Sequence, residues 1–139
     1  MEGLRIKSVK KKELISFRNK EWTKYNIDLG RKYKPYNTCF VALAKKKIVG
    51  SIEVSILGGV AYICNIIVAK KFRGKGIAIL LLKKIEDLAL KKKCHKITLK
   101  TSEQHKEALS LYKKLGFKID AIMKDDKFHK DWYHLTKKL

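Results

Sequence analysis

Proline, glutamine, cysteine and long apolar runs are all scarce in this chain of 139 residues. It has one proline, three cysteines and a single glutamine, Gln104. No apolar run is longer than Ile77–Leu82, which is too short to cross a bilayer. The first residues lack the apolar segment of a secretory signal, and neither an internal repeat nor a linker of small residues interrupts the chain. We therefore expect a single cytoplasmic domain that covers residues 1–139 and has no membrane segment.

The cysteines exclude two further classes of protein. Cys39, Cys64 and Cys94 are odd in number and widely spaced, and no C-x-x-C pair occurs. This pattern argues against a disulfide framework and against a structural zinc site. The histidines show no metal-ligand spacing either, so we predict reduced thiols and no bound metal.

Acidic residues are scarce as well, and the chain is strongly basic. It carries 34 Lys and Arg against 13 Asp and Glu, a formal net charge of +21. Such a surface attracts polyanions at long range. It also suits solubility or life at high temperature, and the composition does not separate these interpretations. The sequence contains no RNA-binding or zinc-finger signature. A nucleic-acid partner is therefore possible but is not the favoured interpretation of the charge.

Apolar spacing predicts a mixed α/β fold in the order β-α-β-β-β-α-β-α-β-β. Alternating or continuous apolar runs predict the strands, and helical spacing with a terminal Gly116 predicts where a later helix ends. The predicted strands are Leu4–Val9, Cys39–Ala44, Ile48–Ile56, Val60–Ala69, His95–Thr101, Phe117–Met123 and Trp132–Lys138. The predicted helices lie near 10–25, 76–92 and 105–116.

A glycine-containing basic turn connects the strand that ends at Ala69 to the helix after it. Gly74 and Gly76 have no Cβ, so an anion can approach their N–H groups closely. The unpaired N–H groups of a helix N-terminus and the charges of Arg73 and Lys75 also favour an anion. We interpret the turn as a cradle for a diphosphate.

Two well-known phosphate loops do not fit this turn. A Walker A loop requires a glycine where Ala69 stands. A dinucleotide-binding turn requires a third glycine where Ile79 stands, and an acidic residue near the position of Cys94.

A third pattern, [Q/R]-x-x-G-x-[G/A], is met by Arg73, Gly76 and Ala78. It resembles the acetyl-CoA pyrophosphate loop of the GNAT family of N-acetyltransferases. About thirty residues later, "HKEALSLYKKLGF" is similar to the second signature of that family, with His105 in place of the usual Asn. The resemblance covers the chain from Phe40 to its end.

The resemblance implies a mostly antiparallel mixed sheet of about six to seven strands, flanked by three to four helices. It also implies that acetyl-CoA is the co-substrate. Main-chain groups of the strand before the loop would bind the pantetheine arm, the loop would bind the pyrophosphate, and His105 would replace the Asn that contacts pantetheine. The implied binding residues are Ile66, Ile67, Val68, Arg73, Gly74, Lys75, Gly76, Ile77, Ala78 and His105.

The resemblance places the general acid at Tyr112, which would assist departure of the CoA thiolate. Two positions where family members often carry a catalytic Glu correspond to Tyr62 and Lys100, so the general base is not identified. Glu53 and Glu103 are alternatives, and so is an ordered chain of water.

These features predict a monomeric or homodimeric enzyme that transfers an acetyl group from acetyl-CoA to a primary amine of a small molecule or protein. The alternatives are a basic module that binds nucleic acid or the ribosome, and a CoA-binding relative without catalysis. We expect the acceptor pocket to come from Glu21–Tyr36 and the last hairpin. Aromatic side chains in the first of these segments are Trp22, Tyr25, Tyr33 and Tyr36.

Overall fold

The computed structural model describes residues 3–139, which form three α-helices and one six-stranded sheet. The chain divides into two compact units, Met1–Lys34 and Pro35–Leu139. No helix within residues 3–139 combines the length and the apolarity that crossing a bilayer requires. The helices are α1 (Lys11–Asp28), α2 (Ile77–Lys91) and α3 (Lys106–Lys114). The strands are β1 (Tyr36–Ala44), β2 (Lys47–Leu57), β3 (Val60–Val68), β4 (Lys96–Ser102), β5 (Lys118–Met123) and β6 (Trp132–Lys138).

The first unit consists of α1 and its flanking segments. Glu13 stabilises the start of the helix, because its carboxylate accepts a hydrogen bond from the main-chain N–H of Lys10 at 2.8 Å. At the other end Asn26 is buried and accepts a hydrogen bond from Nε of Arg31 at 2.7 Å, which fixes the turn after the helix.

The predicted strand Leu4–Val9 is wrong. Residues 4–10 take no regular secondary structure, and Ile6 is 96% exposed. The alternation of apolar and polar residues in "LRIKSV" fits a pleat, but a strand also needs a neighbour that pairs with its backbone. The element order therefore starts with α1, whereas the remaining predicted helices and strands all form.

The second unit contains the sheet, with the strand order β1-β2-β3-β4-β6-β5. All neighbouring strands are antiparallel except β3 and β4, which are parallel. This arrangement confirms the mixed, mostly antiparallel sheet. The parallel pair requires a crossover, which α2 provides.

The core lies between one face of the sheet and α2. Ile52 and Ile63 from the sheet, with Leu81 and Ile85 from α2, belong to one buried cluster. Apolar residues recur on α2 at helical spacing, so one side of the helix is buried while Leu80 on another side is 68% exposed. This packing fixes the start of α2 against the end of β3.

Replacing Ile85 with alanine is expected to lower the free energy of unfolding by about 2–5 kcal/mol, because the fully buried side chain leaves a cavity. Denaturant-induced unfolding measures the change. The matched control is Leu80→Ala on the exposed side of the same helix, which we expect to change stability by less than about 0.5 kcal/mol. Equal losses in the two variants would contradict the assignment of α2 to the core.

The end of α3 explains part of the second sequence signature. Gly116 has a φ of 94°, which a residue with a side chain rarely adopts. The N–H of Phe117 donates to the carbonyl of Tyr112 at 3.0 Å, and the N–H of Gly116 donates to that of Lys113 at 3.1 Å. These two bonds form a Schellman motif, and the ring of Phe117 lies 5.9 Å from that of Tyr112. The Leu-Gly-Phe sequence therefore ends the helix and holds Tyr112 in place.

Candidate active site

A cleft opens where the two parallel strands separate. Pairing between β3 and β4 covers Val60–Ile63 and Lys96–Leu99 and goes no further. A bulge at Cys64 interrupts the pairing of β3 with β2 at the same level. Because a bulge bends its strand, β3 turns away from β4 beyond this point. The resulting cleft has a volume of about 920 Å³, and all of its lining residues belong to the second unit.

The edge of β3 that faces the cleft carries unpaired main-chain groups. The N–H of Ala69 donates to the carbonyl of Val49 in β2 at 2.8 Å. Successive residues of a strand direct these groups to opposite edges, so the groups of Ile66 and Val68 point to the open edge. Those of Ile67 point to β2, where it pairs with Ser51. The N–H and carbonyl of Ile66 and the N–H of Val68 thus offer main-chain hydrogen bonds to a ligand in the cleft, whereas the carbonyl of Val68 already accepts one from Arg73.

The basic turn lies at the mouth of the cleft. Gly74 and Gly76 have φ values of 74° and 81°, and a Cβ added at either position would meet no atom within 4 Å. Gly76 directly precedes α2, whose first N–H groups have no partner within the helix. Open space next to these donors fits a diphosphate, which would fill the volume that a side chain would otherwise take.

The two basic side chains of this turn, Arg73 and Lys75, make different contacts. Nε of Arg73 donates to the carbonyl of Val68 at 2.9 Å, so this side chain also holds the turn against the end of β3. The ammonium of Lys75 lies 5.4 Å from the centre of the Phe72 ring. Every binding residue predicted from the sequence lines the cleft except Lys75.

Tyr112 lies on α3 and is 7% exposed, and it contributes to the lining of the cleft. Burial raises the pKa of its phenol above the usual value. The hydroxyl therefore stays protonated at neutral pH and can act as a hydrogen-bond donor. Among residues 3–139 we find no hydrogen bond to this hydroxyl, which leaves it available to a ligand.

His105 directly precedes α3 and also lines the cleft. Its Nδ1 lies 3.5 Å from Oγ1 of the buried Thr101, and its ring lies edge-on to Trp132 with 6.3 Å between the ring centres. An imidazole held in this way has a second nitrogen left for a ligand.

The candidates for the general base do not meet at one point. Lys100 lines the cleft, whereas Tyr62, Glu53 and Glu103 do not. Glu53 lies opposite Asn65 on β3. Burial raises the pKa of the neighbouring Cys64 thiol, and the charge of Glu53 adds to this rise.

Several lining residues were not predicted from the sequence. Asn65 is the one polar residue within "YICNIIVA", and this break in an apolar run could have marked it. Glu107 and Gln104 come just before or within the second signature. Trp132 carries no such signal, because only the pairing of β6 with β4 brings it to the cleft.

An α/β sheet that opens between two parallel strands, with a glycine turn at a helix N-terminus beside the opening, defines a CoA-dependent acyltransferase fold. Residues 6–117 match the model of the acetyltransferase (GNAT) family, and this chain belongs to that family. This membership confirms both the resemblance and the enzyme class, acyltransferase.

Acetyltransferases are among the known proteins similar to this chain. N-alpha-acetyltransferase MAK3 of Arabidopsis thaliana is 37% identical over 84 residues, which cover 57% of this chain and 44% of that relative. The chain thus spans less than half the length of this relative. An acetyltransferase of Bacillus cereus superposes with a TM-score of 0.79 at 23% identity over the whole of both chains. An acetyltransferase from Bacillus anthracis, solved with acetyl coenzyme A, superposes with a TM-score of 0.70 at 24% identity. The match covers 76% of this chain and 64% of that protein's chain.

Proposed function

We propose that this protein transfers an acetyl group from acetyl-CoA to a primary amine, with residues 1–139 acting as one domain. The observation that carries the proposal is the cleft, which brings together the glycine turn, the open edge of β3 and the buried hydroxyl of Tyr112. In this proposal the glycine turn binds the diphosphate of acetyl-CoA, the open edge of β3 binds the pantetheine amides, and Tyr112 lies at the thioester sulfur.

Each part of the cleft has a distinct task in this reaction. The N–H groups at the start of α2, with Arg73, bind the diphosphate. Main-chain groups of Ile66 and Val68 pair with the pantetheine amides and thereby direct the thioester towards Tyr112. The amine attacks the carbonyl carbon, the carbon–sulfur bond breaks, and Tyr112 donates a hydrogen bond to the departing sulfur. Holding the amine and the thioester together in the correct orientation supplies a large part of the rate enhancement.

The acceptor that we propose to test first is the free α-amino group of a peptide. The support is the N-alpha-acetyltransferase relative, which is 37% identical over the matched residues. The assay follows release of free thiol from acetyl-CoA with peptides that carry a free N-terminus, and with the same peptides blocked at the N-terminus but containing lysine. Small amines complete the panel. Stabilisation of the protein by acetyl-CoA without thiol release from any acceptor would contradict catalysis and leave a CoA-binding role.

The charge of +21 leads to a separate prediction about nucleic acid. We expect structured RNA to bind no better than heparin, with a Kd weaker than about 1 µM at physiological salt, because charge alone carries no specificity. Fluorescence anisotropy over a range of salt concentrations measures both ligands. Tight RNA binding that leaves acetyl-CoA bound would contradict this expectation and support an acceptor carried on RNA or the ribosome.

A further inference from the structure

An aspartate and a histidine are paired on the two strands of the last hairpin. Nδ1 of His134 contacts one carboxylate oxygen of Asp120, and the hydroxyl of Thr136 donates to the other. Asp120 occupies a bulge in β5, because its neighbours Ile119 and Ala121 are the residues that pair with β6. The extra residue directs the carboxylate to the face that carries His134.

The pair fixes the tautomer of the imidazole. Hydrogen bonds from Thr136 and His134 lower the pKa of Asp120, so its carboxylate is ionised near neutral pH and only accepts hydrogen bonds. In the neutral imidazole, Nδ1 of His134 therefore carries the hydrogen, and Nε2 keeps a free lone pair. This arrangement orients a histidine as a base.

His134 is not itself a lining residue of the cleft, but it adjoins two residues that are. Its partner across the strands is Lys100, and Trp132 lies two residues earlier on the same face of β6. Both of these neighbours line the cleft. Directly opposed residues of antiparallel strands have Cβ atoms about 4.5–5.5 Å apart, so His134 lies next to the position where the family resemblance calls for a catalytic carboxylate.

The other charged groups on this face of the hairpin and of β4 are lysines. Lys100 and Lys96 come from β4, Lys118 from β5 and Lys138 from the end of β6. Asp120 is the carboxylate that balances these charges at the imidazole.

We propose that His134, oriented by Asp120, is the general base of this acetyltransferase, an inference that rests on the proposed function. Nε2 of His134 takes a proton from the acceptor ammonium and leaves a neutral amine. The amine nitrogen then bonds to the thioester carbon, and the bond electrons pass to sulfur as the carbon–sulfur bond breaks. The nitrogen loses its remaining excess proton, the CoA thiolate gains one, and His134 returns its own proton to solvent. Asp120 is a positioning residue in this scheme.

The decisive experiment compares His134→Gln with the unchanged protein, using acetyl-CoA and the peptides with a free N-terminus. Glutamine can still pair with Asp120 but cannot take up a proton at neutral pH. We expect kcat/KM for the peptide to fall by about 10²-fold or more, with unchanged affinity for acetyl-CoA by calorimetry. The dependence of the rate on pH should also differ between the two proteins, because glutamine cannot take up a proton.

Two further variants separate catalysis from structure. Asp120→Asn removes the carboxylate that keeps the hydrogen on Nδ1 of His134. This variant should lower kcat while leaving the affinity for acetyl-CoA unchanged. His129→Gln is the matched control, because His129 forms a similar pair with Asp125 at 3.0 Å but is exposed and, unlike His134, has no cross-strand neighbour in the cleft lining. We expect no change in rate for that variant.

The outcomes distinguish this inference from the proposed function. Peptide acetylation that persists in His134→Gln with the original pH dependence would overturn the role of His134 and leave the acetyltransferase activity in place. Absence of transfer by the unchanged protein to every acceptor, with acetyl-CoA bound, would overturn both.

Discussion

Replacing Tyr112 with phenylalanine is expected to lower kcat by roughly 10²-fold or more, while the affinity for acetyl-CoA stays nearly the same. A CoA thiol has a pKa of about 8.5 and an ordinary phenol one of about 10, so complete proton transfer would cost roughly 2 kcal/mol. Because burial raises the pKa of Tyr112 further, transfer becomes still less favourable. The hydroxyl therefore acts as a hydrogen-bond donor whose bond strengthens as charge develops on sulfur.

Steady-state kinetics with a peptide acceptor and calorimetry with acetyl-CoA measure these two quantities. Tyr133→Phe is a matched control, since Tyr133 is a half-buried tyrosine that packs against the same core but does not line the cleft. A kcat of Tyr112→Phe within a few-fold of the unchanged protein would reduce Tyr112 to a packing residue beside Phe117.

The change Gly76→Val is expected to weaken acetyl-CoA binding by about tenfold or more, which corresponds to about 1.4 kcal/mol. A valine here would fill the open volume next to the first N–H groups of α2, where the diphosphate would lie. The φ of 81° adds backbone strain of about 1–2 kcal/mol, because a left-handed conformation is unfavourable for a β-branched residue.

The strain has to be separated from the loss of the ligand site. Gly58→Val serves this purpose, because Gly58 lies in the turn between β2 and β3 with a φ of 59° and open space at its Cβ position. Both variants should lose stability, but only Gly76→Val should lose affinity in calorimetry. Unchanged affinity in a folded Gly76→Val protein would remove the diphosphate interpretation of the turn.

The central part of the fold could be predicted from the sequence because several signals agree there. The run "YICNIIVA" predicts a central strand, the glycine turn predicts a helix start, and Gly116 predicts a helix end. In the structure β3 ends at Val68, α2 starts at Ile77, and α3 ends just before Gly116. Local residue preferences and tertiary packing favour the same structure in these segments.

The first strand could not be predicted in the same way. "LRIKSV" alternates as a strand does, but pattern alone says nothing about whether a neighbouring strand is available. The general base could not be identified from the sequence for a similar reason. A search of the two family positions finds Tyr62 and Lys100, and neither is an ordinary base. His134 becomes a candidate only when β6 pairs with β4.

The sequence by itself determined the family, the glycine turn and the helix that carries Tyr112, because each depends on residues close together in the chain. Tertiary structure decided which residues meet at the cleft. The bulge at Cys64 and the early end of pairing between β3 and β4 create the opening. Pairing of β5, β6 and β4 brings the Asp120–His134 pair next to Lys100, which lines the cleft. These contacts depend on strand register, which is set by packing across the whole sheet and is not written in any short segment.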